Sequence, residues 1–240
     1  SGAITTLANA EGYLEVPADI EYLSKDEEIN VKLFETKLKT ADLVIGGPFS
    51  RHLDNVLSRL VEKKPNFRIK YLKMNATSAI DALIRDEIDI AGINLLDVSS
   101  GVYNEHILKK HPYLTNIYQF ERNLGLITIK GNPHNIQSIE EAIERNLRIA
   151  NRERGSGIRE YFEWVIKKLA NKKNLSLDDI RSRIRSYYME YRTDSAAILA
   201  VIEGKADYCI APIEIAEMYD VEIISLGKEI YSLITKNTKL

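Results

Sequence analysis

Four short segments carry hydroxyl groups, glycines or an arginine directly after an apolar run. They are Gly47-Pro48-Phe49-Ser50, Ala76-Thr77-Ser78, Arg154-Gly155-Ser156-Gly157 and Thr193-Asp194-Ser195. Each precedes residues with helical periodicity. A helix N-terminus has unpaired N–H groups and a partial positive charge, so such a turn attracts an anion. The stretch Asn151-Arg152-Glu153-Arg154-Gly155-Ser156-Gly157 is the densest. Its glycines let backbone N–H groups approach a ligand, Ser156 adds a hydroxyl, and Arg154 can grip an oxyanion through two parallel hydrogen bonds. An ordinary glycine turn with ion pairs among Arg152, Glu153 and Arg154 explains the same residues equally well. Read singly, Ser50, Thr77 and Ser195 are N-caps. The recurrence of four such turns after strands points to one cleft. Its candidate ligand residues are Ser50, Arg51, Thr77, Ser78, Asp97, Asn151, Arg154, Gly155, Ser156, Gly157, Asp194 and Ser195.

Catalytic and metal chemistry find less support. Gly155-Ser156-Gly157 is too tight for a nucleophile elbow, and the chain has no Walker loop or paired-histidine motif. Four scattered histidines and one cysteine give no zinc-ligand spacing. Asp97 follows a buried strand and can serve as a base, but it equally caps a turn running to Gly101. No catalytic or metal-ligating residue is assigned, and no intrinsic cofactor is expected. Cys209 lies in an apolar run and reads as a buried small side chain.

The elements that must position these turns follow from periodicity. Tyr13 to Val16 and Glu28 to Phe34 alternate at period two, as short half-buried strands do. Residues 1–37 therefore read as a small β segment, and Glu35 to Thr40 as a polar linker. Beyond it, Leu43-Val44-Ile45 predicts a strand. Ser50 caps a helix over 51–63, Phe67 to Leu72 is a strand, Thr77 or Ser78 caps a second helix, and Ile88 to Leu96 is a buried strand. Leu124 to Ile129 is a further strand. Ser138 with Glu141 forms a capping box, Leu147 to Ala150 is a strand, and a helix begins at Ile158. Such alternation implies a helix-covered, parallel-rich sheet.

An internal repeat adds to this. Ala79-Ile80-Asp81-Ala82-Leu83-Ile84, four residues, then Asp89 matches Ala197-Ile198-Leu199-Ala200-Val201-Ile202, four residues, then Asp207. Two copies 118 residues apart (197 − 79) suit two similar lobes, each presenting a helix N-terminus at an equivalent place.

Bulk composition narrows the class. The 240 residues are 45% hydrophobic and 28% charged, with net charge -2. Nothing there favours nucleic acid or an anionic membrane. The basic run Arg181, Arg183, Arg185 is explained by a solvated helix face. No apolar stretch approaches about 18 residues, no secretory pattern opens the chain, and a cytoplasmic protein is expected.

From Leu43 to about Leu233 the chain resembles the binding-protein-like domain at the C-terminus of some MoeA-type molybdopterin molybdotransferases, also found fused to ModE-like winged-helix regulators. The match rests on Gly92-Ile93-Asn94-Leu95-Leu96-Asp97 with Gly101-Val102-Tyr103-Asn104, on Gly125-Leu126 with Gly131-Asn132-Pro133, and on Ala200 to Asp207. The string Asn151-Arg152-Glu153-Arg154-Gly155-Ser156-Gly157-Ile158-Arg159 is its most specific part. Ser1 to Phe34 resembles the end of the molybdotransferase's small β-barrel fourth domain. The resemblance implies the C-terminal part of such a fusion, not catalytic alone. The implied fold is an α/β, two-lobed type II periplasmic-binding-protein-like domain preceded by a small β segment. Lobe one would hold 41–123 and 213–240, and lobe two 124–212, with hinges near Phe120–Asn123 and Ala211–Ile213. The implied ligand is molybdate or tungstate, or a molybdopterin intermediate. The implied partner, besides that small anion, is a second copy held through the molybdotransferase domains. Relatives carry threonine where this chain has Ile158, which removes a hydroxyl from that turn. Two other roles stay open: an enzyme assisting metal insertion through Asp97 or Asp194, and a ligand-free interaction domain.

Overall fold

Alternation at period two becomes strand only where a neighbour takes up the backbone hydrogen bonds, and the N-terminal segment shows this limit. The computed structural model describes residues 12–16, 20, 22–24, 27–34 and 41–237. The chain divides into Ser1–Ala41 and Asp42–Leu240. In the first unit Gly12–Tyr13 (β1) pairs antiparallel with Lys32–Leu33 (β2). Leu14 to Val16 and Glu28 to Val31 alternate as expected but lie outside these strands. The expected linker, 35–40, lies outside the described residues.

In the second unit strands and helices alternate. Leu43–Gly47 (β3), Arg51–Lys63 (α1), Ile69–Lys73 (β4), Ala76–Ile84 (α2), Ile90–Ile93 (β5) and Glu105–Lys110 (α3) lead to a long strand, Leu114–Ile129 (β6). Ile139–Glu144 (α4), Ile149–Arg152 (β7), Gly157–Lys173 (α5), Leu177–Arg183 (α6) and Glu190–Tyr191 (β8) follow. Asp194–Ile202 (α7), Tyr208–Pro212 (β9), Ile213–Ala216 (α8) and a second long strand, Val221–Lys236 (β10), complete the order. One eight-stranded sheet results, ordered β4-β3-β5-β10-β6-β9-β7-β8. The outer pairs on both sides are parallel, and β10 and β6 run antiparallel to their neighbours. This is the expected parallel-rich, helix-covered α/β class.

Both faces of the sheet are buried, because successive strand residues point to opposite sides. In the first half Ile45 packs with Leu53 of α1, while Val44 packs with the cluster around Ala79 and Leu83 of α2. In the second half Ile149 and Leu126 face Phe162 of α5, while Ala150 and Ile127 face Ala197 and Ile198 of α7. Cys209 is fully buried on the α7 side, and burial pushes its thiol pKa up.

The repeat has a structural meaning. The caps Asn75 and Thr193 lie 118 positions apart (193 − 75), and α2 and α7 are each nine residues long. The closing aspartates do the same job. Asp89 N–H donates to Val44 O at 2.8 Å, and Asp89 Oδ2 accepts Val44 N–H at 2.9 Å. Asp207 N–H donates to Arg148 O at 2.8 Å, and Asp207 Oδ2 accepts Arg148 N–H at 2.7 Å. Each aspartate ties the end of a helix-to-strand turn to the start of the neighbouring strand.

Several local expectations change. Asn75, not Thr77 or Ser78, caps α2, its Oδ1 accepting Ser78 N–H at 2.8 Å. An asparagine at that position reaches the third N–H, whereas Thr77 and Ser78 already lie inside the helix. Ser138 accepts Glu141 N–H, but the Glu141 carboxylate takes Gln137 N–H, so the expected box is not reciprocal. A reciprocal box occurs at Ser176 and Asp179 instead. β6 and β10 each run sixteen residues and pair along their length. β9 still pairs with β6 at Pro212↔Leu124, and Val221–Ser225 still pairs beside it. The return crossing therefore falls at the register shift between Ser225 and Gly227, not at Ala211–Ile213.

At the crossing, Arg122 of β6 lies opposite Glu229 of β10. Arg122 Nη2 and Glu229 Oε1 are 2.6 Å apart, with side-chain exposures of 3% and 0%. Arg122 Nη1 also donates to Phe49 O at 2.8 Å, and the guanidinium lies 4.7 Å from the Tyr231 ring centroid. Asn94 Nδ2 donates to Glu229 Oε2 at 2.8 Å. Burial pushes the Glu229 carboxyl up, and Arg122 and Asn94 pull it back.

Two outcomes test this account. Glu229→Ala leaves the buried guanidinium with only the longer 3.5 Å contact to Glu214 as an ion pair and should cost about 3–5 kcal/mol in urea unfolding, whereas the double change Arg122→Met with Glu229→Leu should cost far less. Burial raises the Asp207 carboxyl, but its bonds from Arg148 prevail and hold it below the ordinary carboxylate range. Its stabilisation is thus present above the unfolded value of about 3.9 and lost as pH falls through the folded one. Asp207→Asn should cost roughly 1–3 kcal/mol at pH 7 and flatten the fall of melting temperature below about pH 4.

Candidate functional site

In an open parallel sheet the turns after strand C-termini gather along one edge. Here the turns after β3, β4, β7 and β8 converge on a cleft of about 610 Å³. Pro48 and Phe49 follow β3, and Met74, Asn75 and Ser78 follow Lys73 at the end of β4. Arg152 ends β7 and Glu153 follows it, Arg192 and Thr193 form the turn between β8 and α7, and Asp194 and Ser195 begin α7. Ile215 and Met218 complete an apolar wall with Phe49 and Met74. The first residues of α2 and α7, one from each half of the sheet, therefore open onto the same space.

The charges around it are unequal. Lys73, Arg152 and Arg192 face Glu153 and Asp194. Arg152 is fully engaged: Nε donates to Tyr191 O at 3.0 Å, Nη2 to Arg192 O at 2.8 Å, and Nη1 to Asp194 Oδ1. Lys73 sits 4.8 Å from the Phe49 ring centroid. Among the described residues neither Lys73 nor Arg192 forms an ion pair, so two cations remain for an anion.

The two halves also touch directly. Thr77 N–H donates to Gly155 O at 3.1 Å, and Asn75 Nδ2 donates to Glu153 Oε1 at 3.0 Å. Gly155 has φ +84, and an added Cβ would lie 3.0 Å from Thr77. At Gly157 an added Cβ would stand 2.2 Å from Asn94 O. The glycines of the Gly-Ser-Gly turn serve a close approach between halves as much as any approach to a ligand.

Of the candidate residues, Ser78, Asp194 and Ser195 line the cleft. Thr77 and Gly155 meet each other at its rim, and Gly157 meets Asn94. Ser50 is buried and spends its hydroxyl as the α1 cap, accepting Leu53 N–H, while Arg51 is exposed on the first turn of α1. Asp97 closes a local turn, accepting Ser99 N–H and Ser100 O–H, both at 2.8 Å. Asn151 is buried and donates to Tyr187 O at 3.0 Å. Arg154 has a side chain 78% exposed and lies 4.0 Å from Glu190. Ser156 is buried as the α5 cap, accepting Arg159 N–H at 3.2 Å. The arginine at the cleft wall is thus Arg152, two residues earlier. The strand β7 ends at Arg152 and the chain then turns through Gly155 at φ +84, so Arg154 lies on an exposed turn outside the cleft lining, which spacing alone does not reveal. Ile158 packs among Phe162 and Leu126, so a hydroxyl there would enter the core and leave the cleft unchanged.

Lys73 and Arg192 were not singled out by sequence reasoning. A signal for them exists: each directly precedes a cap region of the 118-residue repeat, two residues before Asn75 and one before Thr193. Among the described residues no group of three or more His, Cys, Asp or Glu could hold a metal ion, and no helix is long and apolar enough to cross a membrane.

Comparisons with known proteins agree with this fold. Residues 57–240 match the model of the PBP superfamily domain, and residues 1–34 that of the MoeA C-terminal region (domain IV). The uncharacterized protein YvgK of Bacillus subtilis (strain 168) is 29% identical over 234 residues, covering 94% of this chain and 68% of YvgK. The effector binding domain of QuiR in complex with shikimate superposes with a TM-score of 0.58 at 13% identity, covering 81% of this chain and 87% of that one. The Synechocystis PCC6803 CcmR regulatory domain in complex with 2-PG gives 0.59 at 13% identity, covering 82% and 88%. The architecture is thereby the type II binding-protein fold shared with effector-binding domains.

Gly157→Ala places a methyl against a backbone carbonyl that no side-chain rotation can relieve. It should cost about 1–3 kcal/mol in thermal unfolding and enlarge the radius of gyration seen by small-angle X-ray scattering as the halves part.

Proposed function

The chain belongs to the PBP superfamily domain family, and on that premise we propose that it is a binding domain whose two halves close on a small organic anion in the cleft described above. The carrying observation is that two helix N-termini from opposite halves, α2 and α7, open onto one space with Lys73 and Arg192 beside it. Each supplies fixed positive potential, and a ligand bridging both favours closure because it touches both halves only then. The QuiR and CcmR domains of the same fold carry small ligands, which supports a binding role here.

The match of residues 1–34 to the MoeA C-terminal region supports attachment to a molybdotransferase in cytoplasmic molybdenum or tungsten cofactor synthesis. Within that setting the ligand is molybdate, tungstate or a molybdopterin intermediate. A volume of 610 Å³ lies in the range of sites for drug-sized ligands. The wall of Phe49, Met74, Ile215 and Met218 offers apolar contact that a bare tetrahedral ion does not use. Size and apolar wall together favour the pterin intermediate over the free oxyanion. A smaller concavity of 410 Å³ between α4, α5 and α6 is a weaker candidate, because Lys173 there is already bonded to Glu144 at 2.6 Å.

Thermal unfolding with pterin-6-carboxylate, molybdate, tungstate, sulfate and phosphate tests the reading. A ligand at 100 times its Kd stabilises by about 2.7 kcal/mol, which for a chain of this size is roughly 5–10 °C. Pterin-6-carboxylate should give such a rise, and Arg192→Ala or Lys73→Ala should remove most of it. A rise with molybdate or tungstate alone would assign the oxyanion instead, and none with any anion would overturn an anion-binding role.

A further inference from the structure

Asp194 is an unusual wall for an anion site. It is the first residue of α7, only 9% exposed, and lines the cleft. Its Oδ1 is held by Arg152 Nη1. Its Oδ2 has no hydrogen-bond partner among the described residues. Every nitrogen of Arg152 is engaged, by Tyr191 O, Arg192 O and Asp194, so this arginine is spent on holding the carboxylate in place. A carboxylate offers about four acceptor sites, so Oδ2 keeps acceptor capacity at the cleft wall that no described residue uses. Glu153 repeats the pattern across the cleft: Oε1 accepts from Asn75, and Oε2 has no partner among the described residues.

We infer that the cleft selects an anion that also carries a hydrogen-bond donor, an amine, amide N–H or hydroxyl, and that Asp194, fixed by Arg152, is the acceptor that reads it. This rests on the anion-binding reading above and narrows it. Lys73 and Arg192 take the anionic end. Asp194 takes the donor end, and Glu153 provides a second acceptor. A tetraoxyanion without a donor meets Asp194 as a like charge and gains nothing from Oδ2. Arg152 is a positioning residue: it sets the direction of the free oxygen and does not itself contact the ligand.

Isothermal titration with two matched pairs tests the inference. Pterin-6-carboxylate is compared with 2-naphthoate, and glycerol 3-phosphate with propyl phosphate. Each pair keeps charge and approximate size and removes the donors. A site built to pair a donor discriminates strongly against the analogue lacking it. In the unaltered chain the donor-bearing member should bind on the order of tenfold tighter or more. In Asp194→Asn that ratio should fall toward one while the donor-free members bind no more weakly, since a negative charge has gone. Equal affinities within both pairs in the unaltered chain would overturn donor recognition and leave the anion cleft standing. Binding by no member of either pair would overturn the anion cleft itself. The comparison in the unaltered chain decides the matter even if Asp194→Asn fails to fold.

Discussion

The ion pair between Arg122 and Glu229 stands where the two halves of the sheet join, and several separate segments of the chain meet on it. Two charges almost wholly removed from water are costly without partners, and this pair has several, though Arg122 Nε donates to none among the described residues. Glu229 receives Arg122 and Asn94, while Arg122 reaches Phe49 O and stacks on Tyr231. Tyr231 O–H in turn donates to Pro48 O at 2.8 Å. The pair thereby anchors the turn after β3, the end of β5 and both crossing strands at one point. Those are the pieces that bring the first half of the sheet to the cleft.

The second constraint is the closeness of the halves. Asn94, bonded to Glu229, is also the residue against which Gly157 packs. The buried pair and the start of α5 are thus coupled through one side chain and its carbonyl. At the rim, Thr77 N–H meets Gly155 O. Two glycines in this turn are required by contact between protein segments, and a glycine-rich turn before a helix is therefore ambiguous evidence for a ligand. What distinguishes the cleft is instead its pair of unmatched cations and the carboxylates that face them.

The internal repeat organises both halves by the same rule. A cap residue starts a nine-residue helix, and an aspartate at its far end locks the next strand to its neighbour. With the caps at one edge of the sheet and the aspartates at the other, each half is fastened at the base and open at the ligand edge. Arg152 and Asp194 then add an asymmetry: α7 begins with a held carboxylate, whereas α2 begins with Ala76.

The sequence by itself determined the α/β class, the helix at 51–63, the helix after Ser156 and the two-fold repeat, because periodicity and capping act over a few residues. It also brought Ser78, Asp194 and Ser195 forward as cleft residues, since a helix N-terminus after a strand has a fixed place on a parallel sheet. It did not show that Arg152 faces the cleft and Arg154 the solvent, or that Lys73 and Arg192 share a wall. Nor did it show that Arg122 meets Glu229 across 107 positions (229 − 122). The first depends on the turn that follows β7, the second on the meeting of the two halves, and the third on the register of β6 against β10. Register is fixed by pairing between distant segments, and a shift of one residue would turn every side chain to the other face. Only the tertiary structure could decide it.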